Sequence, residues 1–329
     1  MSKIDIIIPA YKAQKTISKA LASILIQSIV NDTRTIIIND ADGVGYAEEI
    51  ANFSDKMDIV EITMPVNGGC GAARQAGIDF GNSPYIVFLD ADDTFYHPFA
   101  LETLLMTILS RPASAFGVGN FVEVVINDGM SRFIKHVEDF VWMFAKIYNR
   151  EYLEKYNVRF SNTSANEDNG FNTILQMAML IEGESVPTVD DIIYTWNFNE
   201  NSITRINNYE YTYNQSVLGY AQNMIYAIDH IEKYYPDNIK TYMKIIEVMV
   251  NLYVMYERTL EFRPEFAIQN FECCQEFYNK KFKLVIDRLE FDSLKSQLIL
   301  RVGNKKTMLD GFIPQYTIYQ FLDKLEGIG

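Results

Sequence analysis

Tyr85-Ile86-Val87-Phe88-Leu89-Asp90-Ala91-Asp92-Asp93 is an apolar run followed at once by three carboxylates in four positions. Five β-branched, aromatic and aliphatic residues in a row read as a strand buried on both faces. A strand that ends in acids sets hard oxygen ligands at the mouth of a sheet, where a divalent cation can bridge them to a diphosphate. Taken alone, an acidic turn is just as well a solvated or capping turn. The surrounding chain decides between these readings.

Upstream, Asn67-Gly68-Gly69-Cys70-Gly71-Ala72-Ala73-Arg74 is a glycine-rich turn that runs into a helical pattern. Its backbone amides and Arg74 can face phosphate oxygens, although an ordinary flexible turn with a surface arginine has the same composition. Further out, Ile4–Ile8, Thr35–Asn39 and Asp58–Thr63 read as strands. Ile17, Leu21, Ile24 and Leu25 recur at helical spacing between the first two, and Gly71–Phe80 fills the gap before Tyr85. Alternating strands and helices predict an α/β fold with an open, Rossmann-like, mostly parallel sheet, whose ligands bind beyond the carboxyl ends of the strands.

Downstream, the pattern predicts a helix over Leu101–Leu109 and a hairpin of Phe116–Ile126 with Arg132–His136 across Asn127-Asp128-Gly129. A polar loop, Ser161–Asn166, then leads into a helix beginning near Asp168. From about Tyr209 long amphipathic helices take over, including Tyr220–Tyr234 and Ile239–Phe262. A boundary near Ile206 divides a nucleotide-binding and catalytic region, 1–205, from a helical region, 206–329, suited to acceptor binding or homo-oligomer formation.

With 48% hydrophobic residues in 329, the chain buries a substantial core. Its 21 Tyr and 21 Phe serve packing more readily than carbohydrate contact. The net charge of -14 disfavours a surface that tracks DNA or anionic lipid. Local basic patches remain, at Lys280, Lys281, Lys283 and Arg288 and at Arg301, Lys305 and Lys306. Cys70, Cys273 and Cys274 outline no disulfide framework, and the opening residues outline no signal peptide, so a reduced, cytoplasmic setting is expected. His97, His136 and His230 are too scattered to suggest a triad or a metal cluster.

Several segments, in order, resemble the inverting family 2 glycosyltransferases with the GT-A fold, from Ile4 to about Thr204. Ile6 to Tyr11 look like that family's opening strand and turn, and Leu21, Ser23, Ile24, Leu25 and Gln27 like its first helix. Asn67, Gly68, Gly71, Ala73, Arg74 and Gly77 match its glycine and arginine segment, and Phe88 to Asp93 its acidic metal motif. Trp142, Lys146, Tyr148, Arg150, Leu153 and Phe160 resemble the stretch before its acid pair, here Glu167 and Asp168.

The resemblance implies a nucleotide-sugar donor, with UDP as the expected carrier, and Mn2+ or Mg2+ as cofactor. Pro9, Ala10, Tyr11 and Asp40 then surround the nucleotide base, and Asn67, Gly68 and Arg74 meet the donor. Asp90, Ala91 and Asp92 lie at the ribose and metal, with Asp92 and Asp90 as metal ligands. Asp168 serves as catalytic base, and Glu167 shapes the acceptor pocket. Read from the residues alone, Tyr11 is equally a buried strand-end aromatic, Asp40 a turn or cap residue, and Glu167 and Asp168 a helix start where acids favour the dipole.

The chain departs from the family's pattern at three places. Asn39-Asp40-Ala41-Asp42-Gly43 stands where an acid pair followed by Gly and Ser is usual, and Gln75 where Asn is usual. Asn197 and Asn199 replace a frequent Arg and His in the loop after the catalytic helix, which leaves either Arg205 as a substitute phosphate contact or a weaker hold on phosphate. The expected acceptor is a hydroxyl on a cell-surface glycan or polymer. A modified base in DNA is a second candidate, and a non-catalytic nucleotide-sugar-binding protein a third.

Overall fold

A computed structural model describes residues 2–163, 165–200, 202, 208–305 and 313–327. The chain separates into two compact units, Met1–Asn162 with Ala178–Asn199, and Thr163–Met177 with Glu200–Gly329. The boundary expected near Ile206 and the phosphate contact expected at Arg205 lie outside the described residues.

The first unit is an α/β body. In chain order it holds β1 (Ile4–Ala10), α1 (Ile17–Leu25), β2 (Thr33–Asn39), α2 (Ala47–Ala51), β3 (Asp58–Thr63), α3 (Gly69–Phe80) and β4 (Tyr85–Phe88). Then come β5 (Thr94–Phe95), α4 (Ala100–Leu109), β6 (Phe116–Asn127), β7 (Met130–His136), β8 (Lys146–Asn149) and α5 (Arg150–Lys155). The helix α6 (Glu167–Glu182), whose last turns belong to this unit, is followed by β9 (Thr188–Trp196). The sheet runs β3-β2-β1-β4-β8-β6-β9-β5, with β7 paired to β6. β3, β2, β1 and β4 are mutually parallel, so their carboxyl ends share one edge, and β8 joins β4 antiparallel.

Ile4, Ile6, Ile7 and Ile8 of β1 are fully buried because the strand is covered on both faces. Complete burial of each such side chain is worth roughly 1.5–3 kcal/mol. α3 comes so close to β1 that a Cβ at Gly77 would stand 2.3 Å from Ile7 Cγ2. That approach requires glycine and sets the height of Arg74, one turn earlier. At the amino ends of the strands, fully buried Asp5 accepts from Arg34, Arg150 and Ser83.

The second unit is helical. Ser216–Tyr234, Ile239–Phe262, Ala267–Phe277, Phe291–Asn304 and Ile318–Glu326 are its longer helices. They close over a core that includes Met224, Ile245, Met249, Tyr253, Phe277 and Phe321. Asn238 caps the second of these by accepting from Lys240 N at 2.9 Å, and Pro264 follows its end. Most of the late basic residues are answered by carboxylates: Lys281 by Asp229 and Glu232, Lys280 by Glu276, Arg288 by Asp237 and Arg301 by Glu247. Among the described residues no helix is long and apolar enough to cross a membrane.

Candidate functional site

The parallel register pairs Ala10 with Asn39 and Ile7 with Phe88, so the segments that follow β1, β2 and β4 lie side by side. Pro9 and Ala10 close β1, and the Tyr11 ring beyond them is 48% exposed, with Lys12 Nζ 4.9 Å from its centroid. The reading of Tyr11 as a buried strand-end residue is therefore excluded. An exposed aromatic at a strand end is a face available for stacking.

Asp40 shows the capping geometry. Its Oδ1 accepts from Gly68 N at 2.7 Å and its Oδ2 from Gly69 N at 2.8 Å, while Asn67 Nδ2 donates to its carbonyl at 3.1 Å. These bonds fasten the start of α3 to the end of β2. The departure at Asn39–Gly43 also finds a use. Asp42 Oδ1 accepts from the amides of Val44 (2.9 Å) and Gly45 (3.1 Å), and Oδ2 from Gln14 Nε2 (2.7 Å), which ties the loop after β2 to the loop after β1. Burial pushes the Asp42 carboxyl up, but these donors and Tyr46 outweigh it and hold it far below the usual carboxylate range.

Arg74 points from α3 to the acidic turn, and its Nη2 donates to Asp90 Oδ1 at 2.8 Å. The turn itself is closed by Asp93 N donating to Asp90 O at 3.0 Å, with Ala91 buried inside it. Asp93 faces inward: Tyr194 Oη donates to its Oδ2 at 2.6 Å and Asn197 N to its Oδ1 at 2.8 Å. Burial, together with the nearby charges of Asp92 and Asp90, raises its carboxyl well above the ordinary range. Asn197 Nδ2 donates to Asp92 O at 3.1 Å, and Asn199 Nδ2 to Asp92 Oδ2 at 2.7 Å. The two asparagines that depart from the family's pattern are thus the clasp on its acidic motif.

Asp93, read from sequence only as part of the acidic run, is a structural partner of the site together with Tyr194, which the sequence did not single out. Tyr194 belongs to β9, also unassigned from sequence, because Asp190 and Asp191 interrupt its apolar run. Ile192 to Trp196 was the available signal, a β-branched and aromatic run. Phe144 stacks on Tyr194 at 4.8 Å, and Trp142 stacks on Phe144 at 5.7 Å, which fixes the tyrosine under the turn.

Asp90 and Asp92 offer carboxylate oxygens, a donor set that suits Mg2+ or Mn2+ rather than a softer ion. Among the described residues no three His, Cys, Asp or Glu side chains converge as a ready-made metal cage.

The second unit holds the acid pair. Glu167 and Asp168 open α6, and Asp168 Oδ1 accepts from Asn169 N at 2.7 Å. The preceding loop is bound to the helix Ser216–Tyr234: Asn166 Nδ2 donates to Ser216 O at 2.9 Å, and Asn223 Nδ2 to Ala165 O at 2.9 Å and to Thr163 Oγ1 at 2.8 Å. Contact there is so close that a Cβ at Gly219 would stand 2.5 Å from Ala165 O. Burial and the charges of Asp168 and Glu167 push the Tyr211 hydroxyl up to about 12. The acid pair is therefore positioned by helices beyond the α/β pattern.

A family model described as glycosyl transferase family 2 matches residues 5–178. The chain belongs to that family and has the GT-A fold. It is 25% identical over 223 residues to the uncharacterized glycosyltransferase EpsJ of Bacillus subtilis, covering 62% of this chain and 63% of that one. It is 35% identical over 94 residues to a poly(ribitol-phosphate) beta-glucosyltransferase of Bacillus spizizenii, covering 28% of this chain and 15% of that one. The matches thus span less than two thirds of these relatives' own lengths. Among solved structures, S. aureus TarS 1-349 in complex with UDP-GlcNAc superposes with a TM-score of 0.65 at 14% identity, covering 93% of this chain and 91% of that one.

Proposed function

We propose that the chain transfers a sugar from a UDP-linked donor, with inversion and with the help of a divalent cation, to a hydroxyl of a cell-surface glycan or polymer. The observation that carries this reading is the acidic turn Asp90–Asp93, held from beneath by Tyr194 and from the side by Asn197 and Asn199, with Arg74 on Asp90. So much polar structure spent on orienting one strand end suits a preorganised electrostatic site. The UDP-GlcNAc held by TarS supports UDP as the nucleotide, and the poly(ribitol-phosphate) relative supports a surface polymer as acceptor.

Departure of a nucleoside diphosphate builds negative charge. Arg74 offsets part of it, and Tyr11 provides a stacking face for the base. Asp90 and Asp92 would hold the cation, which supplies further charge stabilisation to the leaving diphosphate when bound. On the acceptor side, a sugar or polyol hydroxyl is a weak nucleophile near neutral pH. Asp168 takes its proton as the new bond to the anomeric carbon forms, while Glu167 lines the acceptor. Displacement from one face in a single step gives inversion. Such a displacement requires no covalent sugar-enzyme intermediate.

The test pairs two measurements on Asp168→Asn. Asparagine keeps the shape and cannot accept the proton, so transfer should fall by roughly 10²–10⁴, the usual worth of general-base assistance. UDP affinity in the presence of Mn2+ should stay near wild type. Transfer that survives within a few fold moves the base elsewhere, with Glu167 first in line. Loss of nucleotide affinity together with transfer makes Asp168 a structural residue instead.

A further inference from the structure

The helical unit contains a cavity of about 300 Å³ whose lining includes Asn169, Tyr220, Asn251, Arg258 and Lys305. This is the lower end of the size range of small-molecule sites. Its chemistry is unusual for this acidic chain. Lys281, Arg288 and Arg301 of this unit are paired with carboxylates, whereas Arg258 and Lys305 have no ion-pair or hydrogen-bond partner for their side-chain cations among the described residues. Asn251 donates through Nδ2 to Tyr220 Oη at 2.7 Å, and its Oδ1 is buried with no hydrogen-bond partner among the described residues. A buried acceptor without a donor is costly and calls for a ligand hydroxyl or water.

We infer that this cavity binds a phosphate-bearing polyol or sugar: the two unpartnered cations take the phosphate oxygens, and Asn251 Oδ1 accepts from a neighbouring hydroxyl. An arginine and a lysine lining one cavity are suited to an oxyanion. The hydroxyl-accepting oxygen distinguishes a polyol or sugar phosphate from a bare inorganic ion. Asn169, next in sequence to Asp168, lines the same cavity, so a ligand seated there is held beside the acid pair. The inference rests on the proposed transferase reading and specifies its acceptor as anionic. Phosphodiester-linked polyols and sugar diphosphates share this chemistry.

The full chain is titrated with a glycerol-phosphate tetramer, with a neutral polyol of equal length, and with a sugar diphosphate, while UDP binding is measured separately. The tetramer should bind with an affinity that falls steeply as salt rises, and the neutral polyol should bind far more weakly. Arg258→Gln and Lys305→Gln should each weaken tetramer binding roughly ten- to hundredfold, the scale of one charge-assisted hydrogen bond, with UDP affinity within twofold of wild type. Lys305 ends its helix, so its replacement keeps the test open if Arg258→Gln does not fold. Preference for the sugar diphosphate, with the same sensitivity to both variants, identifies a lipid-linked headgroup as the source of the phosphate. Folded variants that bind the tetramer like wild type, or equal binding of the neutral polyol, overturn the inference. Failure of UDP to bind the wild-type chain would instead count against the transferase reading, leaving the tetramer result to stand by itself.

Discussion

Asp5 and Asp90 stand at opposite ends of one parallel strand pair, and each meets an arginine, yet the two carboxylates are treated differently. Asp5 is fully buried and receives five donors: Arg34 Nε and Nη2, Arg150 Nη2, and the amide and hydroxyl of Ser83. Asp90 keeps 26% of its side chain exposed and receives the guanidinium of Arg74. A saturated carboxylate has little capacity left for a ligand, whereas an incompletely coordinated one at a strand end does. The contrast separates a closed structural ion network from a carboxylate with room for a ligand, made of the same residue types.

The strongest way to break this comparison is to remove the saturated partner. Asp5→Ala leaves two arginines facing each other without their shared anion, which costs about 3–5 kcal/mol. Thermal unfolding should move down by roughly 2–4 °C for each kcal/mol lost. An unfolding midpoint equal to wild type would mean that the arginines find other partners and that saturation carries no structural weight.

Asp92→Ala addresses the other end. Transfer should drop about a hundredfold or more, the scale of losing one preorganised electrostatic contact at developing charge, and dependence on added Mn2+ or Mg2+ should change with it. Stability should shift by less than for Asp5→Ala, by roughly 1.5–3 kcal/mol, the scale of a hydrogen bond to a charged group such as the one from Asn199. Full activity in this variant, or in wild type with excess EDTA, removes the carboxylate-and-cation reading of the turn.

The parallel strands were readable because each of them is a short apolar run ending in polar residues; Asp90 and Asp92 stood out by directly following such a run, and Arg74 by following a glycine-rich turn. Asp40 was ambiguous in sequence, since an acid after a strand serves a cap and a ligand equally well, and the bonds to Gly68 and Gly69 show the cap. Tyr194 was hidden for a different reason: its partner Asp93 is 101 positions away, and no local pattern encodes such a pairing. Asp168 was named through the family resemblance, but the fastening of its loop by Asn223 and Ser216, from a helix 50 or more positions later, follows no local pattern either. Arg258 and Asn251 sit two turns apart on the helix Ile239–Phe262, but Lys305 follows the helix Phe291–Asn304, and only the tertiary arrangement brings it to the same cavity.

Glu182 offers the finest test, because it is a carboxylate saturated with donors but only partly buried. Tyr152 Oη and Lys155 Nζ donate to it at 2.7 Å each, and Tyr156 Oη donates to it as well. Burial pushes its carboxyl up, yet Lys155 and the hydroxyls of Tyr156 and Tyr152 outweigh it and bring the carboxyl down from 4.5 to about 2. A group whose pKa is depressed on folding binds fewer protons in the folded state, so its contribution is present above the unfolded value of 4.5 and is lost as pH falls towards 2. Because a quarter of the side chain is exposed, solvent screening reduces the contribution to on the order of 1 kcal/mol near neutral pH. Glu182→Gln should therefore be less stable than wild type by that amount at about pH 7 in urea unfolding, and the two curves should converge as pH drops through this window. Transfer should stay within twofold of wild type throughout. A stability gap that persists unchanged at low pH would assign the role of Glu182 to its shape and hydrogen bonds rather than its charge. A large loss of transfer would place it with Asp90 and Asp92 instead of with Asp5.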